Sequence, residues 1–321
     1  MPQAALSKTR PESSGETFPA TVGAARVQEN EAVSGTKKEK KEKKPEKAAA
    51  HAAGSNRKDK KEHAPDPGRE RRVPLRRISV WGPPCSGKTT LAVELAKEIS
   101  SAPDIQVILL FADRSVPVLP VLFPRADERE LPSLGAALSS IDMDVSDVMS
   151  SAAVCSERAN LLFLGYGTGE NAFSYPEIGE GRAKAFLDLL GSICDCLIID
   201  CPSLFQGDPL SSAAMKSADA VVRIYTPEMR SFCFFESQSP ITADGEWRTD
   251  RHVRVLNSVS RDIFFPVEES RRNMKECAAE LPYSGRIKQF ASDGRLLSCR
   301  PERKYSGAIG KLARLLTESP E

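Results

Sequence analysis

The stretch GPPCSGKTT at residues 82–90 constrains the fold more than any other part of the sequence. It fits the pattern G-x-x-x-x-G-K-S/T, in which a glycine-rich turn joins a strand to a helix. The apolar run ISVW precedes it, and the stretch that follows places Leu91 and Leu95 at helical spacing. The pattern therefore predicts a strand, a tight loop and an amphipathic helix, in that order.

This strand–loop–helix unit predicts a phosphate-binding site. The first turn of a helix offers unpaired N–H groups and a partial positive charge to an anion. Lys88 is placed to bridge β and γ phosphates, and the Thr89 hydroxyl to bind Mg²⁺. The structural alternative is a glycine-rich turn with a surface lysine. The residues predicted to contact a nucleotide are Gly82, Cys85, Ser86, Gly87, Lys88, Thr89 and Thr90.

Two consecutive prolines, Pro83 and Pro84, lie in the first half of this loop. Proline has no backbone N–H, so it cannot donate to a phosphate. The donors expected to hold the phosphates lie later, between Cys85 and Thr90. We therefore expect the prolines to stiffen the start of the loop without removing its phosphate contacts.

Near-continuous apolar runs alternate with helical patterns over the rest of the chain. The runs lie at 105–113, 160–167, 194–202, 218–227 and 251–260, and the helical patterns at 181–193, 211–218 and 267–281. Such strands, separated by helices, are typical of a mostly parallel sheet covered by helices on both faces. We predict a doubly wound α/β fold of the P-loop NTPase type. Residues 112–150 are too weakly periodic to assign.

Residues 1–73 differ in composition from the rest and include the low-complexity stretch KKEKKEKKPEKAAAHAAG. Residues 37–77 carry 16 Lys and Arg against 7 Asp and Glu, whereas residues 78–321 carry 26 against 33. Such a segment cannot bury enough apolar surface to offset its ordering entropy. We predict a disordered basic tail at 1–73 and an NTPase domain at 74–321. Two roles stay open for the tail: a solvated tether, or non-specific contact with DNA or an anionic membrane surface.

The sequence predicts a cytoplasmic protein, because it has neither an apolar run of about 18 residues nor the apolar core of a signal peptide. The tail adds the alternative of a peripheral location at the nucleoid or the inner membrane face. Cys194, Cys196 and Cys201 lie in the apolar run CDCLIIDCP. We expect them to be buried core residues rather than metal ligands, because structural zinc sites favour ligand pairs on turns.

A phosphate-loop enzyme needs a carboxylate at the end of a neighbouring strand, to hold Mg²⁺ or to order the attacking water. Asp200, which ends the stretch LIID, is the first candidate and is predicted to bind the metal with Thr89. Asp113, which ends ILLFAD, is the second catalytic candidate. For both, the alternative is a turn residue at a strand end. Asp208 is predicted to be a helix N-cap.

These residues resemble the ParA/MinD family of partitioning and positioning ATPases. The stretch CDCLIIDCPSLFQGDPLSSAAMKSADAVVRIYTPE is similar to the family's strand ending in IID-x-P, followed by a helix and a strand that ends in Pro-Glu. The strand VRVLNSVS, with Asn257, resembles the family's strand whose asparagine reads adenine. The resemblance covers about residues 76–320 and is weak over 112–180.

The resemblance implies a switch that depends on ATP and Mg²⁺. ATP joins two protomers into a homodimer, the dimer binds DNA or a membrane, and a partner protein stimulates hydrolysis. By this resemblance, Lys88 has the role of the loop lysine and Thr89 that of the Mg²⁺ ligand. Asp200 has the second-carboxylate role and Asp113 the switch role.

Two positions depart from the family pattern. Pro83 occupies the slot of a second lysine, which in the family reaches the other protomer's phosphate. The strand before the first switch ends Phe111-Ala112-Asp113 rather than Asp-x-Asp, so one carboxylate is missing. Both changes remove groups that stabilise transition-state charge or order water. Losing one such group costs on the order of 100- to 1000-fold in rate, so we expect slow hydrolysis.

Three alternatives to a slow ATPase stay open; the third, a kinase that phosphorylates a small molecule, has no substrate-recognition signature in the sequence to support it. The first is an adaptor or scaffold that binds nucleotide without hydrolysing it. The second is a relative of the capsule-type tyrosine autokinases, which end in a cluster of tyrosines. The C-terminal stretch KYSGAIGKLARLLTESPE has only Tyr305, and this disfavours the autokinase.

Overall fold

The computed structural model describes residues 75–124, 131–260, 267–274 and 276–318. The chain divides into two units, Met1–Asp59 and Lys60–Glu321, and all described residues lie in the second. The tail predicted at 1–73 lies outside the described residues, so its predicted disorder stays a prediction.

Eight strands form one sheet in the described part of the chain. They are β1 Arg76–Trp81, β2 Val107–Phe111, β3 Ala153–Cys155, β4 Arg158–Leu164, β5 Cys196–Asp200, β6 Ala220–Tyr225, β7 His252–Val259 and β8 Ala279–Pro282. Their order in the sheet is β3-β4-β2-β5-β1-β6-β7-β8. Every neighbouring pair is parallel except β3 and β4, which are antiparallel.

Helices cover both faces of this sheet. They are α1 Lys88–Ile99, α2 Leu119–Leu122, α3 Leu134–Ser139, α4 Val145–Ser150, α5 Glu180–Ile193, α6 Pro209–Ser217, α7 Met229–Gln238, α8 Val267–Met274, α9 Gly285–Ser292 and α10 Arg303–Thr317. Helices α1, α9 and α10 bury their apolar residues on one face, and α3 to α7 on the other. No helix among the described residues is long and apolar enough to cross a membrane.

The central strands are buried on both faces, which explains their continuous apolar sequences. In β2, Ile108 and Leu110 join the core on one face of the sheet, while Leu109 and Phe111 join the core on the other. Every residue of β5 is buried as well. The doubly wound α/β fold predicted from the sequence is therefore confirmed. The three cysteines of the run CDCLIIDCP are buried in this core, as predicted: Cys194, Cys196 and Cys201.

The prediction of one helix over 267–281 is wrong in its second half. Helix α8 ends at Met274, and β8 follows at Ala279–Pro282. Parallel pairing with β7 decides the conformation of this segment, with Val255 opposite Ala279 and Leu281 fully buried. Local helical spacing does not outweigh a long-range strand partner of this kind.

The strand order places the end of β1 between β5 and β6. Val80, near the end of β1, is the register partner of Asp200 on β5, and Asp200 is also opposite Phe111 on β2. In open α/β sheets, ligands bind at the carboxyl edge of such parallel strands. The loop that follows β1 lies at this edge.

Candidate nucleotide-binding site

The loop between β1 and α1 depends on Gly87, the N-cap of α1. Its φ of 90° lies in the left-handed region, where a side chain is disfavoured. A Cβ at this position would lie 2.6 Å from the Nδ2 atom of Asn257. Cys85 is also left-handed, with φ 61°, and its side chain is exposed. The loop therefore requires glycine at position 87, because the φ is left-handed and the Asn257 amide occupies the space that a Cβ would take.

The two prolines stand at the start of the loop, next to Gly82. A Cβ on Gly82 would lie 2.5 Å from the Ile224 side chain and 2.6 Å from its carbonyl oxygen, so β6 packs directly against the turn. The carbonyl oxygen of Pro83 accepts hydrogen bonds from Ser86 N at 3.3 Å and from Lys88 Nζ at 3.2 Å. Pro83 thus contributes to the loop through its carbonyl group.

Lys88, the first residue of α1, has a half-buried side chain. Its Nζ donates to Ser203 Oγ at 2.8 Å as well as to the Pro83 carbonyl. Burial lowers the pKa of this ammonium group, and the nearby carboxylates Asp200 and Asp113 oppose the shift. These contacts hold the Lys88 ammonium group against the loop, near the carboxyl ends of β5 and β2.

Thr89 and Asp200 meet directly. The Thr89 hydroxyl donates to Asp200 Oδ2 at 2.6 Å. Asp200 is 4 % exposed, and its second oxygen, Oδ1, has no hydrogen-bond partner among the described residues. Burial raises the pKa of Asp200 to about 6, against the hydrogen bond from Thr89 and the charge of Lys88. A buried carboxylate oxygen without a partner, beside a threonine hydroxyl, fits the oxygen ligands that Mg²⁺ prefers.

Two further aspartates have distinct local roles. Asp113 follows β2, and its Oδ1 accepts from the backbone N–H groups of Ser115 at 2.9 Å and Val116 at 3.2 Å. It therefore fixes its own turn while remaining within electrostatic range of Lys88. Asp208 caps α6 and accepts from both the backbone N–H and the hydroxyl of Ser211. The N-cap predicted at Asp208 is confirmed.

Asn257, at the end of β7, binds the loop from its other side. Its Nδ2 donates to the Ser86 carbonyl at 2.8 Å. A cavity of about 790 Å³ opens beside this contact and beside Gly87 and Thr90. Its lining also includes Pro282, Tyr283, Ser284, Ile287 and Lys288. The cavity is large enough for a nucleoside, and it ends at the loop that would hold the phosphates.

The structure thus brings the predicted residues of 82–90 together with Asp200, Asn257 and, at longer range, Asp113. Sequence reasoning missed Ser203 and Trp81. Ser203 contacts Lys88 directly, and its carbonyl accepts from the Trp81 indole Nε1 at 3.0 Å. Ser203 could have been proposed from the sequence, because it lies only three residues after Asp200 and carries a hydroxyl group.

A glycine-containing loop between a central strand and a helix, with a strand-end carboxylate next to it and a nucleoside-sized cavity beside it, is the arrangement of the P-loop NTPase class of fold. No protein-family model matches the sequence, and no curated protein matches it. Solved structures do match.

The chain is similar to a ParA family ATPase from Chlorobium tepidum TLS, with 16% identity, a TM-score of 0.61, and coverage of 74% of this chain and 98% of that one. It is also similar to the septum site-determining protein MinD of Pyrococcus horikoshii OT3, solved with Mg-ADP, with 18% identity, a TM-score of 0.58, and coverage of 75% and 96%. Apo McdA of "Cyanthece" matches at 19% identity and a TM-score of 0.56, over 74% of this chain and 99% of that one. The chain has the fold of the ParA/MinD-type ATPases.

Proposed function

We propose that this protein is a P-loop ATPase that binds ATP with Mg²⁺, hydrolyses it slowly, and acts as a positioning, partitioning or regulatory switch. The observation that carries the proposal is the contact of Thr89 with Asp200, whose Oδ1 has no partner among the described residues. Thr89 lies in the first turn of α1, directly after this loop, where backbone N–H groups at a helix N-terminus favour an anion.

The proposed roles follow from position. The backbone N–H groups from Cys85 to Thr90 would hold the phosphates, with Lys88 neutralising their charge. Thr89 and Asp200 would hold Mg²⁺, which supplies further positive charge to the phosphates when bound. Asn257 would fix the base, because its amide lies between the Ser86 carbonyl and the cavity.

We expect slow hydrolysis because of the residues at two positions, Pro83 and Asp113. Pro83 offers a carbonyl group where a cation would stabilise transition-state charge, and that carbonyl binds Ser86 and Lys88. Asp113 is the only carboxylate in the stretch Phe111–Asp113, and one of its oxygens is engaged in its own turn. The proposed site therefore binds the phosphates but lacks two groups that would stabilise transition-state charge or order the attacking water.

The test is ATP turnover with the full chain, with and without Mg²⁺. We expect slow hydrolysis that requires the metal and is lost in Lys88→Ala. The matched control is Lys184→Ala on α5, an exposed lysine that pairs with Asp188, and it should keep the wild-type rate. Turnover that survives Lys88→Ala would contradict the proposal.

The same observations on Pro83 and Asp113 favour a second candidate, a nucleotide-binding adaptor that does not hydrolyse ATP. Its signature would be tight, Mg²⁺-dependent ATP binding without turnover, also when DNA or anionic vesicles are added. Loss of ATP binding in Lys88→Ala is common to both candidates, so only the turnover measurement separates them.

The partners proposed for the switch are a second copy of the chain, joined in an ATP-dependent homodimer, a protein activator, and DNA or an anionic membrane surface. A partner protein is supported by analogy, because MinD of Aquifex aeolicus has been solved in complex with MinC. We propose a cytoplasmic protein with a peripheral location at the nucleoid or inner membrane face through its basic tail.

A further inference from the structure

The Lys88 ammonium group is oriented by two acceptors of different kinds. One is the Pro83 carbonyl at 3.2 Å, which belongs to the loop itself. The other is the Ser203 hydroxyl at 2.8 Å, which belongs to the loop between β5 and α6. An ammonium group has three N–H donors. With one donor on a backbone carbonyl and one on a side-chain hydroxyl, a single N–H donor remains and its direction is restricted.

Ser203 is itself held in place from the core. The Trp81 indole Nε1 donates to the Ser203 carbonyl at 3.0 Å. Trp81 is fully buried and packs edge-on against Phe205 at 5.3 Å and Phe235 at 5.2 Å between ring centroids. The guanidinium of Arg223 lies 5.5 Å from the Trp81 ring. A large, buried aromatic side chain of this kind has little freedom, so the Ser203 carbonyl has a rigid anchor.

We propose that Ser203 is a positioning residue for Lys88, and that Trp81 positions Ser203. This inference rests on the proposed function, since it concerns how the same site holds a β or γ phosphate. Lys88 belongs to α1, Ser203 follows β5, and Trp81 ends β1. The three residues therefore join the helix, the loop and the strand that meet at the phosphate site.

The physical reason is preorganisation. A lysine stem has four rotatable carbon–carbon bonds, and fixing it upon ligand binding reduces affinity. A single acceptor leaves the ammonium free to pivot, whereas acceptors on two separate loops do not. With Ser203 and Pro83 in place, the remaining N–H group is available to a phosphate oxygen before the ligand arrives.

The effect should be confined to ligands with β or γ phosphates, because Lys88 reaches those groups. AMP retains the base, the ribose and the α phosphate, which depend on Asn257 and on the backbone of the loop. Ser203 should therefore matter for ATP and ADP and not for AMP. A general structural role for Ser203 would weaken all three ligands together.

The test is calorimetric binding of ATP, ADP and AMP, each with Mg²⁺, to the full chain. In Ser203→Ala we expect ATP and ADP to bind about tenfold more weakly, the size expected for one hydrogen bond to a charged group. Ser203→Thr keeps the hydroxyl and should stay within about twofold of wild type. AMP, measured by competition with ATP, should be unchanged in both variants.

Two further variants complete the design. Leu204→Ala changes the neighbouring residue of the same loop, whose side chain is 65% exposed, and should leave all three affinities unchanged. Trp81→Phe keeps an aromatic ring and removes the N–H donor, so it should weaken ATP binding by a smaller factor than Ser203→Ala. An unchanged ATP affinity in Trp81→Phe would overturn the part assigned to Trp81.

The inference on Ser203 is overturned if Ser203→Ala binds ATP as tightly as wild type or more tightly. It is also overturned if AMP weakens by the same factor as ATP, or if threonine does not restore binding. These results differ from a failure of the proposed function. In that case the wild-type chain would not bind ATP, or Lys88→Ala would bind it equally well.

Discussion

Replacing Gly87 with alanine tests the geometry on which the phosphate loop depends. With φ at 90°, an alanine here would adopt the left-handed conformation, which costs about 1–2 kcal/mol. Its Cβ would also lie 2.6 Å from Asn257 Nδ2, so the amide must move. That movement breaks the 2.8 Å hydrogen bond to the Ser86 carbonyl, a net loss of about 0.5–1.5 kcal/mol. We expect Gly87→Ala to lower the free energy of unfolding by about 1.5–3.5 kcal/mol.

A matched control separates these two contributions. Gly169 has a φ of 78°, and a Cβ there would meet nothing within 4 Å. Gly169→Ala therefore carries the backbone strain and the change in unfolded-chain entropy without a steric contact. The difference between the two variants isolates the contact with Asn257, and we expect it to be about 0.5–1.5 kcal/mol.

The assay is urea denaturation of the full chain, followed by circular dichroism, with equal denaturant slopes as the test that the variants unfold alike. A double-mutant cycle adds a sharper criterion: in an Asn257→Ala background, the penalty of Gly87→Ala should fall to that of Gly169→Ala. Equal penalties for Gly87→Ala and Gly169→Ala in the wild-type background would show that the contact with Asn257 does not contribute.

Four other predictions concern Asp200, the N-terminus of α6 and the basic tail. Burial raises the pKa of Asp200 to about 6, so Mg²⁺ binding at the proposed site would displace a proton from it below that pH. The affinity for Mg-ATP should therefore fall as pH decreases through about 6. Because the terminal phosphate of ATP takes up a proton in the same range, the test is a comparison: Asp200→Asn should bind weakly and show a shallower decrease than wild type. Folded Asp200 also holds its proton more tightly than unfolded Asp200, whose pKa is the ordinary 3.8. The free energy of unfolding should therefore decrease as pH rises from 3.8 to about 6, and urea denaturation of Asp200→Asn should lack this trend. Asp208→Ala removes the N-cap of α6 and should reduce the free energy of unfolding by about 1 kcal/mol, whereas Asp208→Ser should retain most of it; equal losses in the two variants would contradict the capping role. If the basic tail contacts DNA or anionic lipid, deleting residues 1–73 should weaken that binding and flatten its salt dependence, while no change in either would favour a plain tether.

Much of the fold could be predicted because its signals are local. The loop at 82–90 fixes a strand, a turn and a helix within a short stretch, and the central strands show their double burial as continuous apolar runs. Asp200 could be found because strand-end carboxylates at the edge of a parallel sheet converge on one place. The N-cap at Asp208 could be predicted from the hydroxyl-bearing residues that follow it.

The features that the sequence did not predict depend on contacts between residues that are distant in sequence. The segment at 279–282 is a strand because β7 lies beside it, and its own helical spacing points the other way. The contacts of Ser203 with Lys88 and Trp81 each span more than a hundred residues. Neither spacing nor composition predicts which side chains meet across the sheet edge, because the tertiary fold decides that.

The most direct test of the account is a calorimetric titration of the full chain with ATP, in Mg²⁺ and in EDTA, for wild type and Lys88→Ala. We predict saturable binding at one site per chain that weakens strongly in EDTA and is lost in Lys88→Ala. ATP binding that is indifferent to both Mg²⁺ and Lys88, or no binding by the wild-type chain, would contradict the assignment of this loop as a nucleotide site.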